Sequence, residues 1–228
     1  MKKMQIKILK RGPYLVTGGV PLTEEIIVPH GNSYEYKLGR TFPQTETYTL
    51  CRCGKSKNFP FCDGSHVHEE FNHEEVASKE SFSTRAELII GKKIDLLDDH
   101  RCSLARFCDR QQGEVWDLVE CSENEDDVRE AILGSDLCPS GRLVAREKDG
   151  TEHEPVLEPG IVILQDPEKG VSGPLYVRGE IPLVSADGTP YEIRNRITLC
   201  RCGQSSDMPF CDASHIKANF KDGHEKGE

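Results

Sequence analysis

Two stretches of this chain carry the same metal-binding donors at the same spacing. Cys51, Cys53, Cys62 and His66 stand as C-x-C-x8-C-x3-H, and Cys200, Cys202, Cys211 and His215 repeat the pattern. A single intervening residue lets the two C-x-C thiolates converge on one metal centre, and a Cys and His four residues apart share a face if that stretch begins a helix. By ligand type alone, three soft thiolates and an imidazole suit zinc and an iron-sulfur centre equally. Structural zinc sites usually use C-x2-C, which tilts the reading towards iron. Between these stretches lie Cys102 and Cys108, then Cys138 followed by Pro139, and a spare Cys121. The ten cysteines thus fall three, four and three. Close-spaced cysteines in a reducing compartment are better explained by metal or redox chemistry than by disulfides.

The outer cysteine groups end the two copies of an internal repeat. The first copy runs from Gly12-Pro13-Tyr14 through Pro21-Leu22 to Leu50-Cys51-Arg52-Cys53-Gly54, the second from Gly173-Pro174-Leu175 through Pro182-Leu183 to Leu199-Cys200-Arg201-Cys202-Gly203. The first spends 27 residues between Leu22 and Leu50 where the second spends 15 between Leu183 and Leu199, an excess assigned to loops. Short β-prone runs alternate with Gly and Pro in both copies, which predicts strands at 14–17, 26–28, 47–50, 175–177 and 193–199. Short helical segments are expected at 66–72 and 215–220, directly after the cysteine loops. The middle of the chain changes character: helices are expected at 95–109 and 126–133, and strands at 88–90, 115–119 and 143–145. Polar stretches near residues 80 and 155 divide the chain into 1–80, 81–155 and 156–228.

The run Cys51-Arg52-Cys53-Gly54-Lys55-Ser56-Lys57-Asn58-Phe59-Pro60-Phe61-Cys62-Asp63-Gly64-Ser65-His66 resembles the CDGSH, or NEET, iron-sulfur family throughout its motif. The second run is similar except that Ala213 stands where the first has Gly64. The resemblance implies one 2Fe-2S cluster on Cys51, Cys53, Cys62 and His66 and another on Cys200, Cys202, Cys211 and His215, each C-x-C holding the inner iron. The segment Cys102-Ser103-Leu104-Ala105-Arg106-Phe107-Cys108 with Cys138-Pro139 resembles the divergent single-cluster ferredoxin domains that accompany CDGSH motifs in some prokaryotic proteins. Its implied ligands are Cys102, Cys108 and Cys138. Ala105 offers no donor where a middle cysteine would stand, so a 3Fe-4S cluster is expected, or 4Fe-4S with a fourth ligand. Cys121 matches no ferredoxin ligand and reads as a free thiol. The alternative for this segment is a clusterless packing domain. Asp63 and Asp212 either order the ligand loops or cap a helix. Arg52, Arg201 and Lys55 either moderate cluster charge or are solvated.

The expected fold is α+β, with two small β-rich CDGSH modules as an internal pseudo-dimer and a ferredoxin-like βαβ-type module inserted between them. A formal charge of −10 argues against nucleic acid as a partner. The longest apolar runs, such as 161–164, are too short for a membrane span, and the lysine-bearing start lacks a signal-peptide core, so a cytoplasmic monomer is expected. No nucleophile–base pair or phosphate loop points to an enzyme. Single-electron transfer is the leading expectation, with cluster transfer and redox or iron sensing as alternatives. An imidazole in place of a thiolate should raise the potential of a 2Fe-2S site and make it acid-labile. The partner expected is a redox protein or an apo iron-sulfur acceptor with a basic face, because loading all three sites takes the charge to about −14.

Overall fold

Residues 3–224 are described by the computed structural model of the chain. The first copy supplies β1 (Gln5–Ile8), β2 (Tyr14–Thr17), β3 (Leu22–His30), β4 (Ser33–Thr41) and β5 (Thr47–Leu50). The central segment supplies α1 (Phe82–Arg85), β6 (Glu87–Ile89), β7 (Ile94–Asp98), the two-residue strands β8 (Asp109–Arg110) and β9 (Gly113–Glu114), α2 (Val115–Glu120), α3 (Glu125–Asp136) and β10 (Leu143–Glu147). The second copy supplies β11 (Gly160–Asp166), β12 (Val171–Arg178), β13 (Leu183–Val184), β14 (Arg196–Leu199) and α4 (Ser214–Lys217). The molecule is therefore α+β and rich in short strands.

The two copies exchange strands. One sheet runs β13-β1-β2-β5 and the other β14-β12-β11-β3-β4. In the first, β13 of the second copy lies parallel to β1, with Ile6 opposite Leu183; in the second, β3 of the first copy lies parallel to β11, with Leu22 opposite Ile161. Alternation decides the layers. Ile161, Ile163, Leu175 and Val177 join Ile6, Ile8, Tyr14 and Val16 in the core between the sheets, while Val162, Leu164 and Tyr176 face the central segment. The apolar run of β11 is thus a strand buried on both faces. The dozen extra residues of the first copy form β4 and its turn. Tyr36 of β4 stacks on Phe107 of the central loop at 4.1 Å between ring centroids and donates from its hydroxyl to the Leu137 carbonyl at 3.1 Å.

The central segment departs from expectation in three ways. Its sheet, β10-β7-β6, is antiparallel throughout, so the order is ββααβ with a small β8–β9 ladder, rather than βαβ. Residues 115–119 form helix α2, not a strand: Val115, Leu118 and Val119 sit at i, i+3 and i+4 and are buried together with Ile94, Leu96 and Leu143. This is tertiary packing overriding the β preference of valine and tryptophan. Residues 95–98 belong to β7, 99–108 form an irregular loop and Asp109 begins β8; in the loop His100, Leu104 and Arg106 take positive φ and rule out a helix. The helix expected at 126–133 is α3, capped by Asn124, whose side chain accepts from the Asp127 amide at 2.9 Å. After the first cysteine loop only a 3-10 turn forms, Ser65–Val67, and after the second the single turn α4.

Candidate metal centres

Each cysteine loop is drawn tight by its own backbone. Cys51 N–H donates to the Pro60 carbonyl at 2.9 Å and Cys62 N–H to that of Thr49 at 3.0 Å; the same bonds in the second copy, Cys200 to Pro209 and Cys211 to Thr198, measure 2.8 and 2.9 Å. Ser56 and Ser205 hydroxyls donate to the Phe61 and Phe210 carbonyls, both at 2.7 Å. The Asp63 carboxylate accepts from Lys57 N–H at 2.8 Å and Ser65 N–H at 3.0 Å, and Asp212 accepts from Ser206 and Ser214 in the same way. These aspartates tie the far side of the loop to the ligand turn, which is the ordering role. The N-cap positions are Gly64 and Ala213, both with positive φ. The one departure of the second motif thus keeps the left-handed conformation on an alanine, against a cost of about 1 kcal/mol.

The donors meet in twos. Sγ of Cys51 and Cys53 are 3.7 Å apart and those of Cys200 and Cys202 3.5 Å; Cys62 Sγ lies 3.4 Å from His66 Nδ1, and Cys211 Sγ 3.4 Å from His215 Nδ1. With metal–sulfur and metal–nitrogen bonds of about 2.3 and 2.0 Å, the edge of a tetrahedron measures about 3.8 Å for two sulfurs and about 3.5 Å for sulfur and nitrogen. Each pair is therefore spaced as two ligands of one tetrahedral metal would be. Among the described residues no three His, Cys, Asp or Glu side chains gather as a site for one ion. A donor set meeting in twos fits a pair of irons, each held by one pair.

Protonation follows the same pairing. The hydrogen bond with Cys53 and the N–H groups of Ser56, Gly54 and Lys55 bring Cys51 down to about 6 against its burial; Cys200 falls to about 7 through Cys202 and the corresponding amides. Burial pushes Cys211 up and His215 down to about 4. A buried thiol held neutral needs a cationic centre to ionise, so loading releases protons.

The two sites cross each other. Cys53 and Cys202 form an antiparallel bridge, and Gly54 and Gly203 take φ of +72° and +74°. A Cβ on Gly54 would strike the Cys202 carbonyl, and one on Gly203 the Cys53 carbonyl. Around this junction the surroundings differ. Cys211 and His215 are buried, whereas Cys62 and His66 are half-buried, and His66 lines an open recess of about 1170 Å³ with His68, Phe71 and His73. Arg52 and Arg201, on the C-x-C loops, are both buried rather than solvated. Arg201 donates to the Gly173 carbonyl at 2.7 Å and pairs with Asp222 at 2.5 Å. Arg52 donates to the Gly12, His73 and Leu9 carbonyls and faces the rings of Tyr14 and Phe71; among the described residues no carboxylate pairs with it. Tyr14 reaches across to the second site, its hydroxyl donating to the Cys200 carbonyl at 2.7 Å.

Cys102, Cys108 and Cys138 line one narrow recess, and Ala105 is in its wall. Burial, with Asp109 and the neighbouring sulfurs, pushes Cys108 up to about 12. Arg142 holds this region by a bidentate pair to Asp98, both bonds 2.6 Å, with Trp116 Nε1 donating to the same carboxylate at 3.2 Å. Arg196 of β14 donates to the carbonyls of Ser135, Asp136 and Cys138 at 2.5, 2.8 and 3.1 Å, so a cation from the second copy closes the end of α3 and fixes the Cys138 loop. Cys121 is exposed at the C-cap of α2 and is not among the residues of this recess. Sequence reasoning did not single out Arg196, Asp222 or Tyr14, and no local signal marks them: each acts on residues at least 21 positions away.

Residues 11–67 and 172–216 match the family described as iron-binding zinc finger CDGSH type, and residues 89–148 match the family described as divergent 4Fe-4S mono-cluster. No curated protein and no solved structure matches the chain. Among the described residues no helix is long and apolar enough to cross a membrane.

Proposed function

Because the chain is a tandem CDGSH-type iron-sulfur protein with a divergent mono-cluster domain between its two copies, we propose that it is a single-electron carrier with two 2Fe-2S sites and one 3Fe-4S site. When bound, such clusters supply one-electron couples and little else. The protein's own residues pair the donors, keep the inner thiolates dry and present one site at the surface. The observation that carries this reading is the meeting of the donors in twos at tetrahedral edge distances, 3.4 to 3.7 Å, in both copies. The 3Fe-4S assignment is supported by three cysteines around one recess with Ala105 in its wall, and by the position of Cys121 outside it. The strand exchange and the reciprocal Cys53–Cys202 bridge support an internal pseudo-dimer, built from residues 1–80 and 156–228 with 81–155 inserted. The acidic surface, with a formal charge of −10 before loading, favours a redox protein with a basic face as partner.

The test is iron and sulfide analysis of anaerobically purified protein, with electron paramagnetic resonance before and after reduction. About seven iron atoms per chain and an oxidised 3Fe-4S signal are expected, against about eight without that signal for a 4Fe-4S centre. Zinc in the outer sites would refute the reading. The half-buried Cys62 and His66 beside an open recess favour a second reading, donation of a 2Fe-2S unit to an apo-acceptor. Bleaching of the donor as the acceptor gains iron and sulfide would select it, whereas reversible reduction with all clusters retained selects electron transfer.

A further inference from the structure

The two outer sites are related by sequence but not by what they touch. We propose that the second CDGSH site is the internal relay of the molecule, standing between the central centre and the first site, and that Arg101 is the residue positioning the central ligand loop against it. The proposal rests on the electron-carrier reading and adds an order to it.

Three sets of contacts carry it. On one side, the second site touches the first directly, since Cys202 pairs with Cys53 and the following glycines pack against the carbonyls of the opposite loop. On the other side, Cys102 and Cys211 line a single open recess. Arg101, one residue before Cys102, lies over the ring of Phe210, one residue before Cys211, at 4.1 Å from its centroid, and its Nε is 3.4 Å from the Asp207 carboxylate in the same loop. Its terminal nitrogen also donates to the Ser78 carbonyl at 2.7 Å. Thirdly, the remaining central ligand loop is held by the second copy through Arg196 and the Cys138 carbonyl. The first copy meets the central segment at β4, through Tyr36 on Phe107, and at the Ser78 carbonyl, through Arg101, but neither recess lined by Cys102 contains a ligand of the first site.

The arrangement gives the buried second site no need of solvent access and leaves His66 of the first site at the surface. In each step one centre is oxidised as its neighbour is reduced by one electron, with no bond made or broken. Outside one-electron redox proteins supply and remove the electron at the ends.

The test uses the loaded full-length protein, reduced stepwise and followed by pulsed electron paramagnetic resonance, with the first site's signal identified by its shift in a His66→Cys variant. Magnetic coupling of the second site to each of the other two is expected, together with a coupling between the first site and the central centre that is several-fold weaker. An Arg101→Ala variant should keep its iron content and weaken the coupling between the central and second sites alone, and Arg101→Lys should restore part of it. A direct first-to-central coupling as strong as the others overturns the relay in the wild-type protein, without recourse to a variant. Loss of both pairwise couplings together in Arg101→Ala overturns the positioning role. Absence of the three centres on iron analysis overturns the electron-carrier reading and the relay with it, whereas full iron with the wrong coupling pattern overturns the relay only.

Discussion

Replacing Asp222 by asparagine isolates what the surroundings do to one cluster. The carboxylate is fully enclosed and accepts from Arg201 at 2.5 Å, Ser172 Oγ at 2.8 Å and Gln165 Nε2 at 3.0 Å. Burial would raise its pKa, but Arg201, Ser172 and Gln165 overcome that and hold it well below the usual carboxylate range. The asparagine side chain keeps the shape and an acceptor oxygen but leaves the Arg201 guanidinium without a counter-charge. Breaking a buried pair costs about 3–5 kcal/mol, and the retained acceptor places this variant near 3. The electrostatic consequence for the second site is separable. At an effective dielectric of about 20, one charge about 10 Å away is worth about 1.7 kcal/mol. For a one-electron couple this is about 70 mV, at 59 mV per tenfold. Removing a negative charge favours reduction, so the second site's potential should rise by that amount while the first site's stays in place. Potentiometric titration followed by electron paramagnetic resonance reads both. An equal shift at both sites, or none at the second, refutes the reasoning. The pH dependence has a definite sign: with a native pKa below the unfolded value of about 3.9, the Asp222 contribution to stability is complete above that pH and is lost as pH falls below it. The asparagine variant should therefore lose less stability than the wild type between about pH 4 and pH 2.

Ala105→Cys supplies a donor in the wall of the central recess and should convert a 3Fe-4S centre to 4Fe-4S, adding one iron per chain and abolishing the oxidised signal; unchanged iron content counts against this placement of the ligands. Gly203→Ala should destabilise by about 1–2 kcal/mol for its left-handed φ, with the collision against the Cys53 carbonyl on top, and thermal scans with visible absorption should show both outer sites damaged rather than one. Under an iron chelator at neutral pH the outer sites should bleach in two phases, the half-buried Cys62–His66 site first, and a single phase would contradict the difference in enclosure.

The pairing of donors within each loop was legible because it is local in sequence: C-x-C and C-x3-H bring their side chains together wherever the loop lies. The strands at 14–17, 47–50 and 143–145 were legible for a similar reason, since a short β-prone run is visible within a few residues. Helix α2 was not legible, because Val115-Trp116-Asp117-Leu118-Val119 satisfies a helical face and a strand equally and only packing on Ile94 and Leu143 decides. The irregular course of 99–108 depends on left-handed residues that are not glycines, His100, Leu104 and Arg106, and these carry no signal of their own. The burial of Arg52 and Arg201 was open in sequence because it depends on carbonyls of distant strands, Gly12 and Gly173, that only the folded chain brings near.

Joining two copies in one chain has a physical consequence that a symmetric pair of chains does not share. Identical subunits about a two-fold axis must give their sites identical surroundings. Here the cysteine loops keep the same internal bonds to within 0.1 Å, at Cys51–Pro60 and Cys200–Pro209 for example, while everything beyond them is free to diverge. β4 exists only in the first copy and packs on the central loop, Asp222 neutralises only Arg201, and Tyr14 braces only the Cys200 loop. Arg52, with no carboxylate paired to it among the described residues, and the more open surroundings both favour the reduced, more negative form of the first site. The second site, enclosed and charge-paired, lacks both effects. The first site should therefore hold the electron at equilibrium between the two, at the more exposed of the two outer sites, and the asymmetry that sets this gradient is written in residues outside the repeated motif.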